Sequence, residues 1–254
     1  PPGMDELLDQ MDARGVTFAP ASGRQVWTLI DMFPGRPGMT VIGENGGIVM
    51  RDGVEVSSSP LDAPTMREAV RLVREATSGP DGIDGGLVMC GKQFAYVERT
   101  DDRFVDGVLP YYHRTKRIDD QIAIIDAIEA GEIDDAIVKL AVYVIGPVQA
   151  LAEATLARFA DTHQYAVSGA NWADLQIRGV DKGSAVRDLQ RFLGVDRSQT
   201  AVFGDAGNDL SMMSEGDLSF AMANASQDVV EASRFIAPSN NEAGVAQVLR
   251  ALVG

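Results

Sequence analysis

At 254 residues and 45% hydrophobic content, the chain has room for one large domain or two modest ones, and enough apolar surface to exclude disorder. Its 37 acidic against 22 basic residues leave a net charge of −15, which argues against nucleic-acid or anionic-membrane binding, where clustered Lys and Arg are needed. One cysteine, Cys90 in an apolar run, excludes an intrachain disulfide, and no apolar stretch reaches 18 residues, so the composition predicts a soluble cytoplasmic protein.

In chain order, Met4, Leu7, Leu8 and Met11 recur at helical spacing before Gly15, predicting a helix over 4–14. Residues 16–21 read as a buried strand. A second helix opens at Ser22-Gly23-Arg24, with Val26, Leu29, Ile30 and Phe33 on its apolar face. A short strand over 39–42 ends in Gly43-Glu44-Asn45-Gly46-Gly47, and Arg51-Asp52-Gly53 joins two apolar runs as a hairpin turn. The middle differs in texture. Helical segments are expected over 65–77, 119–130 and 147–160, and strands over 87–90, 94–98, 137–145, 165–170 and 174–178. Alternation such as Phe94-Ala95-Tyr96-Val97 fits an antiparallel sheet with one open face. From Val180 a βα rhythm returns, with helices at 183–193, 208–214, 226–233 and 242–252 and strands at 200–203, 218–222 and 234–237. The expected architecture is α/β: a doubly wound parallel-sheet core from 1–56 and 179–254, interrupted by an α+β insert over 57–178.

The chemistry concentrates in Gly204-Asp205-Ala206-Gly207-Asn208-Asp209, between an apolar strand and a helix start. Carboxylates at the carboxyl end of a strand lie where open α/β sheets bind ligands, and hard oxygens there suit Mg²⁺. Gly, Asn and Asp also dominate ordinary turns, so the loop is weighed with its partners. Ser22-Gly23 offers a hydroxyl and free amides to an anion, although Ser22 equally reads as a helix cap. Lys182, before a helix, can offset charge on a phosphoryl oxygen, although a lone Lys there is usually solvated. Glu44-Asn45-Gly46-Gly47 follows a strand end and brings Asn45 toward the same crevice, or is a plain Gly-rich turn.

Together these segments resemble the haloacid dehalogenase superfamily, in its Cof-type, sugar-phosphatase-like branch. The likeness runs through Phe18-Ala19-Pro20-Ala21-Ser22-Gly23-Arg24, Glu44-Asn45-Gly46, Lys182-Gly183, the Gly204 to Asp209 loop, Ser219 to Ala225 and Asn241 to Val245. The resemblance implies a Rossmann-like core whose insert over 57–178 is a cap. It also implies a Mg²⁺-dependent phosphatase of small phosphorylated metabolites, sugar phosphates first among them. In it, Asp205 holds Mg²⁺ while Asn208 and Asp209 shape the metal site. Ser22, Gly23, Arg24 and Asn45 bind the phosphorylated substrate, with Asn208 alongside. Lys182 and Ser22 are the catalytic side chains, Lys182 stabilising charge on the transferring group.

The family's first motif, Asp-x-Asp-Gly-Thr, supplies the nucleophile and the acid/base, and no such segment occurs here; Asp81-Gly82-Ile83-Asp84-Gly85 reads as a loop. The expectation is that about 10–15 residues, a strand and its loop, precede Pro1 in the gene product. Two alternatives stay open: a phosphomutase or dedicated sugar-phosphate phosphatase, and a non-catalytic phosphometabolite-binding protein. For specificity, the insert offers His113, Arg114 and Lys116, which read more simply as an exposed face, and Asn171 and Trp172, the latter more often a core residue.

Overall fold

The computed structural model describes residues 1–36 and 38–254. Helix α1 (Met4–Ala13) buries Leu7, Leu8 and Met11. It packs with the helix over Gly244–Val253 in a core shared by Val26, Leu29, Val41 and Ile48. Residues 16–21, expected as a strand, make only one parallel bridge, Ala21 to Ile42. Ile42 donates to the Pro20 carbonyl and Ser22 to the Ile42 carbonyl, both at 2.9 Å, and Pro20 has no N–H to extend the ladder. The second helix also starts later than the apolar spacing predicts: α2 is Val26–Asp31, so Ser22 to Gln25 form a loop.

Strands β1 (Val41–Gly43), β2 (Ile48–Arg51) and β3 (Val54–Ser58) make an antiparallel sheet in that order. The β2–β3 turn is the hairpin expected, with Asp52 and Gly53 both at positive φ, as a two-residue hairpin turn demands. The chain then builds a second unit from α3 (Ala63–Thr77), β4 (Gly85–Gly91), β5 (Ala95–Val97), α4 (Asp102–Val108), β6 (Thr115–Arg117), α5 (Gln121–Glu129), β7 (Ile137–Val144), α6 (Gln149–Ala154), β8 (His163–Val167) and β9 (Trp172–Ile177). Its six strands run β6-β5-β4-β7-β9-β8, antiparallel except for β5 with β6. An open face was expected here. Instead, Leu87 and Met89 face a core that takes in residues of α3 and α5, while Val88 and Cys90 meet Phe104 and Val105 of α4, a helix the periodicity did not reveal.

The remainder is α7 (Lys182–Leu193), β10 (Ala201–Gly204), α8 (Leu210–Met213), β11 (Leu218–Met222), α9 (Gln227–Ala232), β12 (Phe235–Ala237) and α10 (Gly244–Val253). Strands β10, β11 and β12 are parallel neighbours. The parallel ladder is thus split between these three strands and the Ala21–Ile42 bridge. Among the described residues, no helix is long and apolar enough to cross a membrane.

Two seams position the site. At the first, Gln25 and Thr28 interlock with residues 111–114 of the second unit through five hydrogen bonds. Gln25 N–H and Thr28 Oγ1 donate to the Tyr111 carbonyl, Gln25 Nε2 donates to the Arg114 carbonyl, and the His113 and Arg114 amides donate back to Thr28 Oγ1 and Gln25 Oε1. Both side chains are buried. At the second, the 44–47 turn lies against the start of α7, which Asp181 and Ser184 cap reciprocally. Gly46, at φ +95°, is what permits this approach, because a Cβ there would stand 2.1 Å from the Asp181 carbonyl oxygen. Gly46→Ala should therefore destabilise the fold by about 2–4 kcal/mol in urea unfolding, the combined effect of strain and clash. A change below about 0.5 kcal/mol would mean the seam is slack.

Candidate active site

Strand β10 ends at Gly204, and a single turn carries the chain through Asp205 to Asp209 into α8. Asp209 organises this turn. Its Oδ2 accepts from the amides of Asp205 at 3.0 Å and Ala206 at 3.2 Å, and its Oδ1 accepts from Lys182 Nζ at 2.6 Å. Lys182 and Asp209 are both buried, so the pair joins the head of α7 to the acidic loop away from water. Gly183 allows that closeness; a Cβ there would meet the Ser211 carbonyl oxygen at 2.4 Å.

With both oxygens of Asp209 engaged inside the protein, Asp205 is the carboxylate of the loop left open. Partial burial raises its pKa above the ordinary range, the negative charge of Asp209 adds to the rise, and Lys182 opposes it. A divalent cation would relieve that strain of like charges. Asn208 Nδ2 donates to Asn45 Oδ1 at 3.1 Å, which leaves the Asn208 carbonyl oxygen as a second hard ligand. One carboxylate and one amide oxygen fit Mg²⁺, which keeps most of its shell as water and phosphate. No cluster of three acids, His or Cys that could hold a metal occurs among the described residues.

Ser22, Gly23 and Arg24 are on the loop before α2, not at a helix N-terminus as expected. Arg24 N–H donates to Ser22 Oγ at 3.2 Å, and the Asn45 amide donates to the Ser22 carbonyl at 3.0 Å. Asn45 itself sits at φ 52°, a left-handed conformation that Asn tolerates better than most residues. Its side chain accepts from Asn208 on one side and donates to Asp174 Oδ2 at 3.1 Å on the other. A ladder of amides thus ties the Ser22 loop to the acidic loop and to β9.

These groups edge a cleft of about 480 Å³ between the two units. Ser22, Gly23, Arg24, Asn45 and Asn208 line it; Lys182, Asp205 and Asp209 are not among its lining residues, and Asn208 belongs to the same turn as Asp205 and Asp209. From the second unit come Tyr111, Tyr143, Asn171, Trp172, Asp174 and Lys139. Asn171 and Trp172 were possibilities on the sequence; both line the cleft, and Trp172 also packs against a core cluster, the reading its residue type favoured. His113, Arg114 and Lys116 are not in the cleft: His113 Nδ1 pairs with Asp31 at 2.7 Å, Arg114 stacks on Trp27 and Lys116 on Phe94.

Lys139, Glu44 and Asp174 escaped sequence reasoning. Lys139 Nζ lies 2.7 Å from Glu44 Oε2 and 4.0 Å from Asp174 Oδ1, and donates to the Gly23 carbonyl at 2.8 Å. The Glu44 contact is poorly aligned as a hydrogen bond, and Glu44 Oε1 meets no donor among the described residues. Burial raises the Glu44 carboxyl pKa, with Lys139 opposing. Burial alone would lower that of Lys139, but Asp174 and Glu44 outweigh it and hold the proton on. The signal available was a single cation in the apolar run Ile137-Val138-Lys139-Leu140-Ala141-Val142.

The sequence pattern of the haloacid dehalogenase-like hydrolases matches residues 2–249. The chain belongs to that family. Similar proteins include the Escherichia coli K12 5-amino-6-(5-phospho-D-ribitylamino)uracil phosphatase YbjI, 34% identical over 94% of this chain and 84% of its own length. A putative phosphatase of Streptococcus pyogenes is 24% identical over 96% of this chain and 88% of its own length. Among solved structures, SMU.1108c from Streptococcus mutans superposes with a TM-score of 0.78 at 22% identity, over 98% of this chain and 90% of that one. The HAD subclass IIB sugar phosphatase BT4131 gives 0.75 at 17% identity, over 99% and 91%. At such identities the two structures bear on fold alone.

The buried pair yields a direct expectation. Asp209→Asn keeps the side-chain shape but leaves the Lys182 ammonium buried without a counter-charge, so stability should fall by about 3–5 kcal/mol in denaturant unfolding. A loss under about 1 kcal/mol would mean Lys182 finds water or another acceptor.

Proposed function

We propose that this haloacid dehalogenase-like hydrolase is a Mg²⁺-dependent phosphatase of small phosphorylated metabolites, sugar phosphates first among the candidates. Membership of the family and the named activities of its relatives support a phosphoric monoester hydrolase. The observation that supports the reading is the hydrogen-bonded chain from Asp174 through Asn45 to Asn208, which ties the Ser22 loop and the turn after β10 to one cleft.

In this reading the Gly23 amide and the Ser22 hydroxyl hold the phosphoryl group, since neither donates to another group among the described residues. Lys182, held by Asp209, is the positive charge that the reading assigns to the transferring group. Asp205 and Asn208 hold Mg²⁺, which would supply charge neutralisation on the transferring group. The reading assigns the attacking carboxylate to an Asp upstream of these 254 residues, forming an aspartyl-phosphate. Phosphoryl transfer relies chiefly on positioning and electrostatics, and that is what the residues present are suited to give.

Residues 57–178 act as the cap over a core of 1–56 and 179–254, and the cap excludes water. Its Tyr143 and Trp172 rings stand 4.7 Å apart, with Tyr111 5.3 Å from Trp172. Arg24 lies over Tyr111 at 5.2 Å. Apolar ring faces beside a phosphate loop suit a sugar or flat-ring ester, so the substrate panel should hold hexose and pentose phosphates as well as the ester named for the Escherichia coli relative.

Phosphate release from that panel, with Mg²⁺ and after chelation, tests the reading. Turnover should appear with the cation and vanish with EDTA, returning on Mg²⁺ addition. Ser22→Ala should lower kcat/KM by about 100-fold with little change in melting temperature. Saturable binding of a phosphate ester with no release under any condition would instead favour a phosphometabolite-binding protein.

A further inference from the structure

Lys139 projects from the central strand β7 of the second unit, yet its ammonium ends on the phosphate loop of the first. It is almost wholly buried, donates to the Gly23 carbonyl at 2.8 Å, and faces two carboxylates, Glu44 and Asp174. Burying an ammonium is costly, and apolar replacements of buried ion pairs are often neutral or stabilising, so β7 gains no evident stability from a Lys at this place.

The consequence lies in one peptide plane. The Gly23 carbonyl and the Arg24 N–H belong to the same trans peptide and point in opposite directions. With the carbonyl drawn to Lys139, the Arg24 N–H is turned toward Ser22 Oγ, 3.2 Å away. Ser22 therefore spends a lone pair inside the loop and keeps its proton to give. The Gly23 amide on the preceding peptide likewise has no acceptor among the described residues. Both residues line the cleft.

We propose that Lys139 is a positioning residue for phosphoryl binding: by clamping the Gly23 carbonyl it sets the Ser22 hydroxyl and the Gly23 amide as a pair of donors. The inference rests on the phosphatase reading for its role in turnover, but its effect on phosphate binding does not require turnover. A cation supplied by one unit thereby completes a loop belonging to the other, so the cap contributes to the phosphate subsite as well as to the leaving-group side.

Lys139→Met alone would strand two buried carboxylates and risk unfolding. The informative protein is the full chain carrying Lys139→Met with Glu44→Gln, which restores the parental charge balance. Its thermal midpoint should stay within about 5 °C of the parent. Calorimetric affinity for inorganic phosphate should weaken about tenfold, and kcat/KM for p-nitrophenyl phosphate should fall about 100-fold. Parental affinity and parental kcat/KM in the folded double variant would overturn the proposal, leaving Lys139 as a mere anchor. A double variant that no longer unfolds cooperatively would also overturn it, by assigning the residue to the fold. A parent that binds phosphate but hydrolyses no ester defeats the phosphatase reading alone, and the affinity ratio still judges Lys139. A parent that binds no phosphate defeats the inference outright.

Discussion

The carboxylate of Asp209 is the constraint on which the site depends. One oxygen gathers two consecutive amides and so fixes the turn after β10; the other takes the Lys182 ammonium and so fixes the head of α7. Neither job tolerates a neutral apolar side chain, because each would leave buried polar groups without partners. The arrangement also frees Asp205. With both Asp209 oxygens already accepting from protein donors, the carboxylate of Asp205 at the strand end has a neighbour that repels negative charge.

A second level of order comes from pairing unlike loops through amides. Asn45 is held in a left-handed conformation by backbone contacts to the Ser22 loop, and its side chain then bridges Asn208 and Asp174. Amides suit this position because each presents a donor and an acceptor without adding charge to a region already dense with carboxylates. The buried Lys139 complements them, offsetting Glu44 and Asp174 where solvent does not reach.

Much of this was legible in the sequence. Periodicity found every helix but α4 and most strands, and the loop residues Ser22, Asn45, Lys182, Asp205, Asn208 and Asp209 were singled out by residue type at strand or helix ends and by the family resemblance. What escaped did so for physical reasons. Residues 16–21 have strand composition, but a strand needs a ladder on its neighbours, and here only Ile42 provides one. Helix α4 is short and its pattern, Phe104, Val105 and Val108, is too brief to mark a period. The cations of 111–117 looked like a charged face or a substrate greeting, whereas Arg114 and Lys116 lie flat on Trp27 and Phe94, contacts made only once distant segments meet. Lys139 was hidden because a strand-embedded Lys has no local role; Gly23 and Glu44 lie far upstream of it, and Asp174 lies downstream on another strand.

The seam at Gln25 and Thr28 bears on how molecules come and go. Parting the second unit from Gln25 and Thr28 would sever five hydrogen bonds together and wet two side chains now sealed from solvent. Among the cleft-lining residues, the Arg24 guanidinium rests on the exposed Tyr111 ring, a contact that no such network holds. Exposed side chains change rotamer within nanoseconds, so a shift of Arg24 or Tyr111 costs far less than parting that seam.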